Sequence, residues 1–417
     1  MKFSGGLKYC VIVTITFLSV VSFAPVSRAD IHVFAHAPNR WLRDVTLQGL
    51  MEGGIMANLA RPASGINFGD FLADHANQAQ LNQVSLTLSR ALDDAVQKYQ
   101  IGFVIQGLYG SDARYYHLLG VSDHMTSDRY QLIPAQAHLD VHLPWVTPHG
   151  VDLNLGILQA PMGVEVLDPS ARPFYTLAYT SQYSVPFEHL GAMAHWHVTS
   201  DLDIHFGIDT GNQSTWGRNA SNTSMAGYLG FTLAGLAHGK MTINGLSRLG
   251  PEDSVNALGI RADSAQRYWN DLSVRYDVND RLSLTGELNF LHDVGLRAEA
   301  YSFVSFLSYK ISPNLSLNYR GEIYRDNGGA FVVSFLNNRA YMNAFLNNYA
   351  PAETAPPTTY GALTLGLTYR PPVLKNLRVF ALRPEIRFDR SLNGTSPFNA
   401  GRNAGMFTFG GDAMIGF

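Results

Sequence analysis

Histidine and aspartate residues alternate with apolar residues in the first half of the chain. HLDVHL at 138–143 and SDLDIHFGID at 200–209 show this pattern, and side chains two positions apart on a strand share one face. Imidazole and carboxylate groups are metal ligands, but a water-filled lumen would be lined by the same groups. We therefore predict a polar lumen wall with no specific metal site and no cofactor. Its candidate residues are His138, Asp140, His142, Asp201, Asp203 and His205.

A second polar wall, in which basic and acidic residues are mixed, is predicted in the second half of the chain. Facing rows of opposite charge would create a transverse field that selects ions or polar solutes. The same residues can also pair with one another and hold the wall together, and the two interpretations do not exclude each other. The candidates are Arg275, Arg281, Glu287, Arg320, Glu322, Arg383 and Arg387.

No catalytic residues are predicted. A hydrolase site would bring a serine, a histidine and an acid into contact, and the sequence has no Gly-x-Ser-x-Gly motif.

The chain has 30 basic and 33 acidic residues; removing Lys2, Lys8 and Arg28 of the predicted signal peptide leaves 27 basic residues. This mildly acidic balance argues against nucleic acid as a partner.

The elements that carry these residues are long strands with two unlike faces. RLSLTGELNFL at 281–291 and NLSLNYRGEIY at 314–324 alternate apolar and polar residues over roughly ten positions, the length that a tilted strand needs to cross a bilayer. Strands of a β-sandwich also alternate but are usually shorter. The pattern therefore favours an all-β fold, a transmembrane antiparallel β-barrel.

The number of such segments is about sixteen. Merging or splitting one hairpin would give fourteen or eighteen strands. Short turns alternate with long polar loops, which is typical of outer-membrane barrels whose turns and termini are periplasmic. The two longest loops are 160–187 and 326–356.

The N-terminal segment predicts the compartment. Residues 1–29 combine Lys2 and Lys8 with an apolar run and a small-residue cleavage site, as in a secretory signal peptide. The single cysteine, Cys10, lies within it. Residues 30–46 are predicted to be a short periplasmic leader and 47–417 the barrel in the outer membrane of a Gram-negative bacterium, with the lipid of that membrane as a partner.

The chain ends in a strand with alternating apolar residues, GMFTFGGDAMIGF at 405–417. In a closed barrel this strand pairs with the first one, so that no edge is left open. A final aromatic residue, here Phe417, resembles the signal by which the barrel assembly machinery recognises outer-membrane proteins. We expect that machinery to be a partner.

Three segments together resemble the putative β-barrel porin-2 family, the OmpL-like porins. They are 53–93, with an Asn-rich first loop, 99–116, with YGSDA, and 155–196, with PMGVE entering a long loop. The resemblance implies an outer-membrane porin for passive diffusion of small hydrophilic solutes or ions. Binding or adhesion through the external loops is the alternative, and both a monomer and a homotrimer are open. This chain departs from the family in loop 160–187, where it has Asp168-Pro169-Ser170.

Loop 160–187 is the candidate constriction. It carries Glu165, Asp168 and Arg172, followed by several aromatic residues, and a loop of this kind can fold into a barrel or pack on its rim. Our hypothesis is that it folds inward and that these three charged residues lie near the narrowest point of the lumen.

Overall fold

The structure is a computed structural model, and it describes residues 31–93, 98–217, 221–334, 337–347, 353–372 and 377–417. The predicted signal peptide lies outside the described residues. Within these ranges no helix combines the length and the apolar character required to cross a membrane.

Sixteen long strands form the barrel, as predicted from the alternating segments. They are β1 (Thr46–Asn58), β2 (Ala79–Arg90), β3 (Gln100–Gly110), β4 (Gln131–Leu143), β5 (Val151–Gln159), β6 (Glu188–His197), β7 (Leu202–Asp209), β8 (Ala226–Gly235), β9 (Met241–Pro251), β10 (Gln266–Asp277), β11 (Leu282–Asp293), β12 (Ala298–Ser312), β13 (Leu315–Asp326), β14 (Thr358–Tyr369), β15 (Val379–Ser391) and β16 (Gly405–Gly416). The first strand begins one residue before the predicted start of the barrel.

Every long strand pairs antiparallel with its neighbours in the sequence, and the last strand pairs with the first. The register of the closing pair runs from Thr408 opposite Asn58 to Gly416 opposite Leu50. Phe417 continues this pairing, because its backbone N–H and carbonyl both bond to Gly49 at 3.0 Å. The barrel therefore has no open edge.

The alternation of residue types matches the two faces of the wall. On β11 the side chain of Leu288 is 53% exposed, whereas the neighbouring Glu287 is fully buried. On β14 the exposed residues are Leu363, Leu365, Leu367 and Tyr369, and the polar residues between them point inward. Apolar residues facing outward and polar residues facing inward are what a barrel in lipid requires.

Helices are short and lie in the connections. The α-helices are α1 (Arg40–Arg43), α2 (Tyr179–Tyr183), α3 (Val255–Leu258) and α4 (Asn338–Asn347), and the 3-10 helices are Asp112–Tyr115, Pro169–Ala171 and Gly259–Asp263. Leu236–Gly239 and Phe398–Gly401 are tight turns with left-handed residues. Two-residue strands occur at Ile31–His32, which pairs with β1, and at Val333–Ser334, which pairs with Glu353–Thr354.

The long loops form a packed core inside the barrel. Phe71 stacks on Tyr115 with ring centroids 4.4 Å apart, and Tyr179 stacks on Tyr360 of β14 at 4.8 Å. Tyr183 contacts the same Phe71 edge-on at 4.8 Å. Aromatic rings bury large apolar areas, so these contacts tie three loops and the wall together.

Candidate functional site

Loop 160–187 folds into the lumen and is closed at its base. The Ala160 N–H donates to the Phe187 carbonyl at 2.7 Å, beside the ends of β5 and β6. Within the loop, the Asp168 side chain caps the helical turn Pro169–Ala171 by accepting from the Ser170 N–H at 2.8 Å. Tyr175 and Tyr179 of the loop are fully buried.

Glu165 is held against the opposite wall. Its carboxylate contacts the Arg320 guanidinium of β13 and accepts from the Ala178 N–H at 2.7 Å. Arg320 also donates to the Thr176 carbonyl at 2.7 Å. One wall arginine thus binds two separate parts of the loop.

Arg172 of the same loop contacts a different part of the wall. It contacts Glu52 of β1 at 3.2 Å and donates to the Tyr175 carbonyl at 2.7 Å. Arg383 of β15 reaches the same Glu52 at 3.1 Å, and it also donates to the Arg172 carbonyl at 2.6 Å. Glu52 therefore lies between two guanidinium groups, which offsets the cost of burying its charge.

Wall carboxylates accept the loop's backbone N–H groups. Glu385 bonds to the N–H of Tyr175 at 2.7 Å, and Glu322 bonds to the N–H groups of Tyr179 and Thr180 at 2.7 and 2.8 Å. Glu287 accepts from the Val164 N–H at 3.1 Å. Buried backbone N–H groups need acceptors, and these carboxylates provide them for the loop.

Loop 59–78 enters the lumen beside Arg387 of β15. Arg387 of β15 contacts Asp70 at 3.1 Å, Asp389 at 2.8 Å and the Leu177 carbonyl at 2.6 Å. Burial raises the pKa of Asp70 to about 7; Arg387 opposes this rise, but Asp389 and Glu385 add to it. Asp70 is therefore a titratable contact between loop and wall.

Asp74 also anchors loop 59–78, but its pKa is shifted in the opposite direction to that of Asp70. It accepts two hydrogen bonds from Arg114 at 3.0 and 3.1 Å and one from the Tyr115 hydroxyl at 2.8 Å. Burial by itself would raise the pKa of Asp74, but Arg114 and His75 outweigh it and hold that pKa below its ordinary value.

The inward side chains of β13 and β15 are buried more completely than the acidic side chains of β5 and the start of β7. Arg320, Arg383 and Arg387 on β13 and β15 keep at most 2% of their side-chain surface exposed. On β5 to β7, by contrast, Asp152 keeps 18% and Asp203 keeps 21%. We call β4 to β7 the open half of the wall, because Asp152, His197 and Asp203 there keep accessible surface, although His205 on β7 is fully buried.

Hydrogen bonds link these residues around the open half. His138 contacts Asp140 at 2.7 Å within β4. His142 and His197 share Asp152, at 2.6 and 3.2 Å, and His197 also reaches Asp203 at 2.7 Å. A separate contact of 2.8 Å joins the Nδ1 atoms of His195 and His205. Among the residues with described placement, no group of three or more potential metal ligands is arranged to hold a metal ion.

The other predicted site residues fall into different places. Asp168 is half-buried, whereas Asp201 and Arg281 are exposed in the turns before β7 and β11 rather than on the wall. Arg275 is on the wall and pairs with Asp277 at 2.9 Å.

The sequence analysis did not predict three residues that hold the loops, Glu52, Asp70 and Asp74. The only signal for Glu52 was an acid at an inward position of the first strand, and the two loop aspartates had no periodic pattern.

Comparisons with known proteins agree on the architecture. A family model described as putative beta-barrel porin-2, OmpL-like, matches residues 44–417. The outer membrane channel DcaP of Acinetobacter baumannii is similar with a TM-score of 0.53 and 13% identity, over 89% of this chain and 97% of that chain. A high-pH structure of Pseudomonas putida OprB has a TM-score of 0.55 and 12% identity, over 90% and 94%. A comparison with curated proteins gives no match.

Proposed function

Since the chain belongs to the putative β-barrel porin-2, OmpL-like family, we propose that small hydrophilic solutes diffuse passively through its lumen along the half of the wall that loop 160–187 leaves uncovered. The protein is a porin of the outer membrane, and its family and fold indicate a channel rather than an enzyme. A sixteen-stranded barrel is wide enough to hold both an inward loop and an aqueous path.

The observation that carries this proposal is the unequal burial of the inward side chains. The guanidinium groups of β13 and β15 bind loop 160–187 and are buried by it. Asp152, His197 and Asp203, by contrast, keep accessible surface. In this proposal Glu165 and Arg172 set the width of the path by fixing the loop. Asp168, which is half-buried, borders the path itself.

Substituted cysteines provide the test, because the only native cysteine is Cys10 in the predicted signal peptide. Asn154→Cys places a thiol on the open half and Thr364→Cys places one under the loop. A membrane-impermeant methanethiosulfonate should lower single-channel conductance in the first variant and leave the second unchanged. Equal effects on both would contradict the proposed path.

Shortening 166–182 is the complementary experiment. Conductance should rise while heat-modifiable migration on a gel still reports a folded barrel. Unchanged conductance would mean that loop 326–356, and not loop 160–187, forms the constriction. A complete lack of conductance from folded wild-type protein would overturn the channel function and favour binding through the external loops.

Processing and assembly belong to the same proposal. We propose removal of residues 1–29 at the cytoplasmic membrane, recognition of the strand that ends at Phe417 by the barrel assembly machinery, and either a monomer or a homotrimer in the membrane. The pairing of Phe417 with Gly49 supports a role of the last residue in closing the barrel. Intact-mass measurement of the outer-membrane form tests the cleavage, and native mass spectrometry tests the subunit number.

A further inference from the structure

The basic residues of the lumen are mostly neutralised by close partners. Arg320 pairs with Glu165, Arg383 with Glu52 and Asp412, and Arg387 with Asp70 and Asp389. All three arginines are also covered by the loops. A mobile ion in the lumen can therefore neither contact these guanidinium groups nor experience an unbalanced positive charge from them.

Three acidic residues of the open half, Asp140, Asp152 and Asp203, have a different environment from Asp209, which ends β7, is buried and pairs with Arg248 at 2.7 Å. Asp140 contacts His138 and the Asn154 amide, and Asp152 contacts His142 and His197. None of these partners is an arginine or a lysine, which would carry a fixed positive charge. The side chains of Asp152 and Asp203 are also the more exposed ones, at 18% and 21%.

The balance of charge along the open half is therefore negative. His197 lies between Asp152 and Asp203, at 3.2 and 2.7 Å, so one imidazolium at this position would be shared by two carboxylates. Further around the wall, the Arg275 guanidinium of β10 is already paired with Asp277 at 2.9 Å. Carboxylates that line an aqueous path attract cations, and at physiological ionic strength their field extends about 8 Å.

We infer that the open half of the lumen favours cations over anions, with Asp152 and Asp203 as the residues that determine this selectivity. The inference rests on the proposed function and adds to it the charge class of the preferred solutes. Potassium-sized ions and small organic ammonium compounds would pass in preference to chloride and small carboxylates.

Reversal potentials in a potassium chloride gradient across a planar bilayer test the inference at neutral pH. The wild type should show a potassium-to-chloride permeability ratio above unity. Asp152→Asn combined with Asp203→Asn should bring this ratio close to unity while single-channel conductance persists. Asp280→Asn is the matched control, because it removes an acid from an exposed turn between β10 and β11; it should keep the wild-type ratio.

The outcomes separate this inference from the channel function. A wild-type ratio at or below unity, or an unchanged ratio in the double variant, would overturn cation selectivity while leaving the porin intact. A loss of selectivity in the Asp280→Asn control as large as in the double variant would also overturn it, since the effect would then follow total charge and not position. Absence of any conductance would instead overturn the channel function.

Discussion

Arg320 of β13 and Glu165 of loop 160–187 form an ion pair inside the barrel, with side chains that are 1% and 0% exposed. They are 155 residues apart in the sequence. The contact fixes the inward position of the loop, because Arg320 also binds the Thr176 carbonyl further along the same loop.

Removing one partner of this pair should release the loop. Arg320→Gln leaves the Glu165 charge buried without its cation, which typically costs about 3–5 kcal/mol. We expect the loop to leave the wall, giving larger and noisier single-channel currents. The double variant Glu165→Gln and Arg320→Gln should be closer to wild type, since no unpaired charge remains. Identical currents in the wild type and the Arg320→Gln variant would show that the pair does not position the loop.

Loop 59–78 should open more readily as the pH rises. The pKa of Asp70 is about 7 in the folded protein and 3.8 is its ordinary value, so the closed loop retains a proton that the open loop releases. The closed form is therefore favoured most below the ordinary pKa and loses this advantage as the pH rises towards 7. The opening equilibrium should increase by up to about tenfold per pH unit in that window. Hydrogen exchange of the loop measures it.

The matched variants for that experiment are Asp70→Asn and Asp74→Asn. Asp70→Asn should remove the pH dependence and keep the loop closed at higher pH. Asp74 affects the loop with the opposite pH dependence. The pKa of Asp74 is lowered in the closed loop, so this residue stabilises the closed loop at pH values above the ordinary aspartate pKa, and the stabilisation is lost as the pH falls. Asp74→Asn should therefore weaken the loop at neutral pH. An unaltered pH profile in Asp70→Asn would assign the titration to another group.

A charge on the outer face should destabilise the barrel. Leu288 is 53% exposed on the middle of β11, so Leu288→Arg would place a guanidinium in lipid and cost about 2–4 kcal/mol near the bilayer midplane. Ser283→Arg, on the inward face of the same strand, should refold almost normally. The free energies of refolding in lipid vesicles give the comparison, and the reverse order would mean that the register of β11 is inverted.

The last residue should contribute to closure. The Phe417 ring packs so closely against Gly49 that a Cβ added at this glycine would clash with the ring, and the Phe417 backbone bonds twice to the same glycine. Deleting Phe417 should reduce the yield of heat-modifiable barrel in the outer membrane. Phe417→Tyr, which keeps the aromatic ring and the backbone, is the control and should assemble normally. Equal yields from the deletion and the wild type would refute this role.

The sequence by itself determined the barrel. A strand offers its side chains only two directions, so the alternation in segments such as 281–291 specified both the strand and its lipid-facing side without knowledge of any distant contact. The sixteen strands and the closure of β16 on β1 follow from that local rule together with the need to leave no unpaired edge in lipid.

Only the tertiary structure decided which inward residues are covered. Asp203 and Arg320 are equivalent by alternation, yet Asp203 keeps 21% of its side-chain surface exposed and Arg320, beneath loop 160–187, keeps 1%. The difference arises from contacts between distant segments, such as Glu165 with Arg320 and Arg172 with Glu52. A loop has no repeating side-chain direction, so its position depends on the whole set of partners that the closed barrel brings within reach.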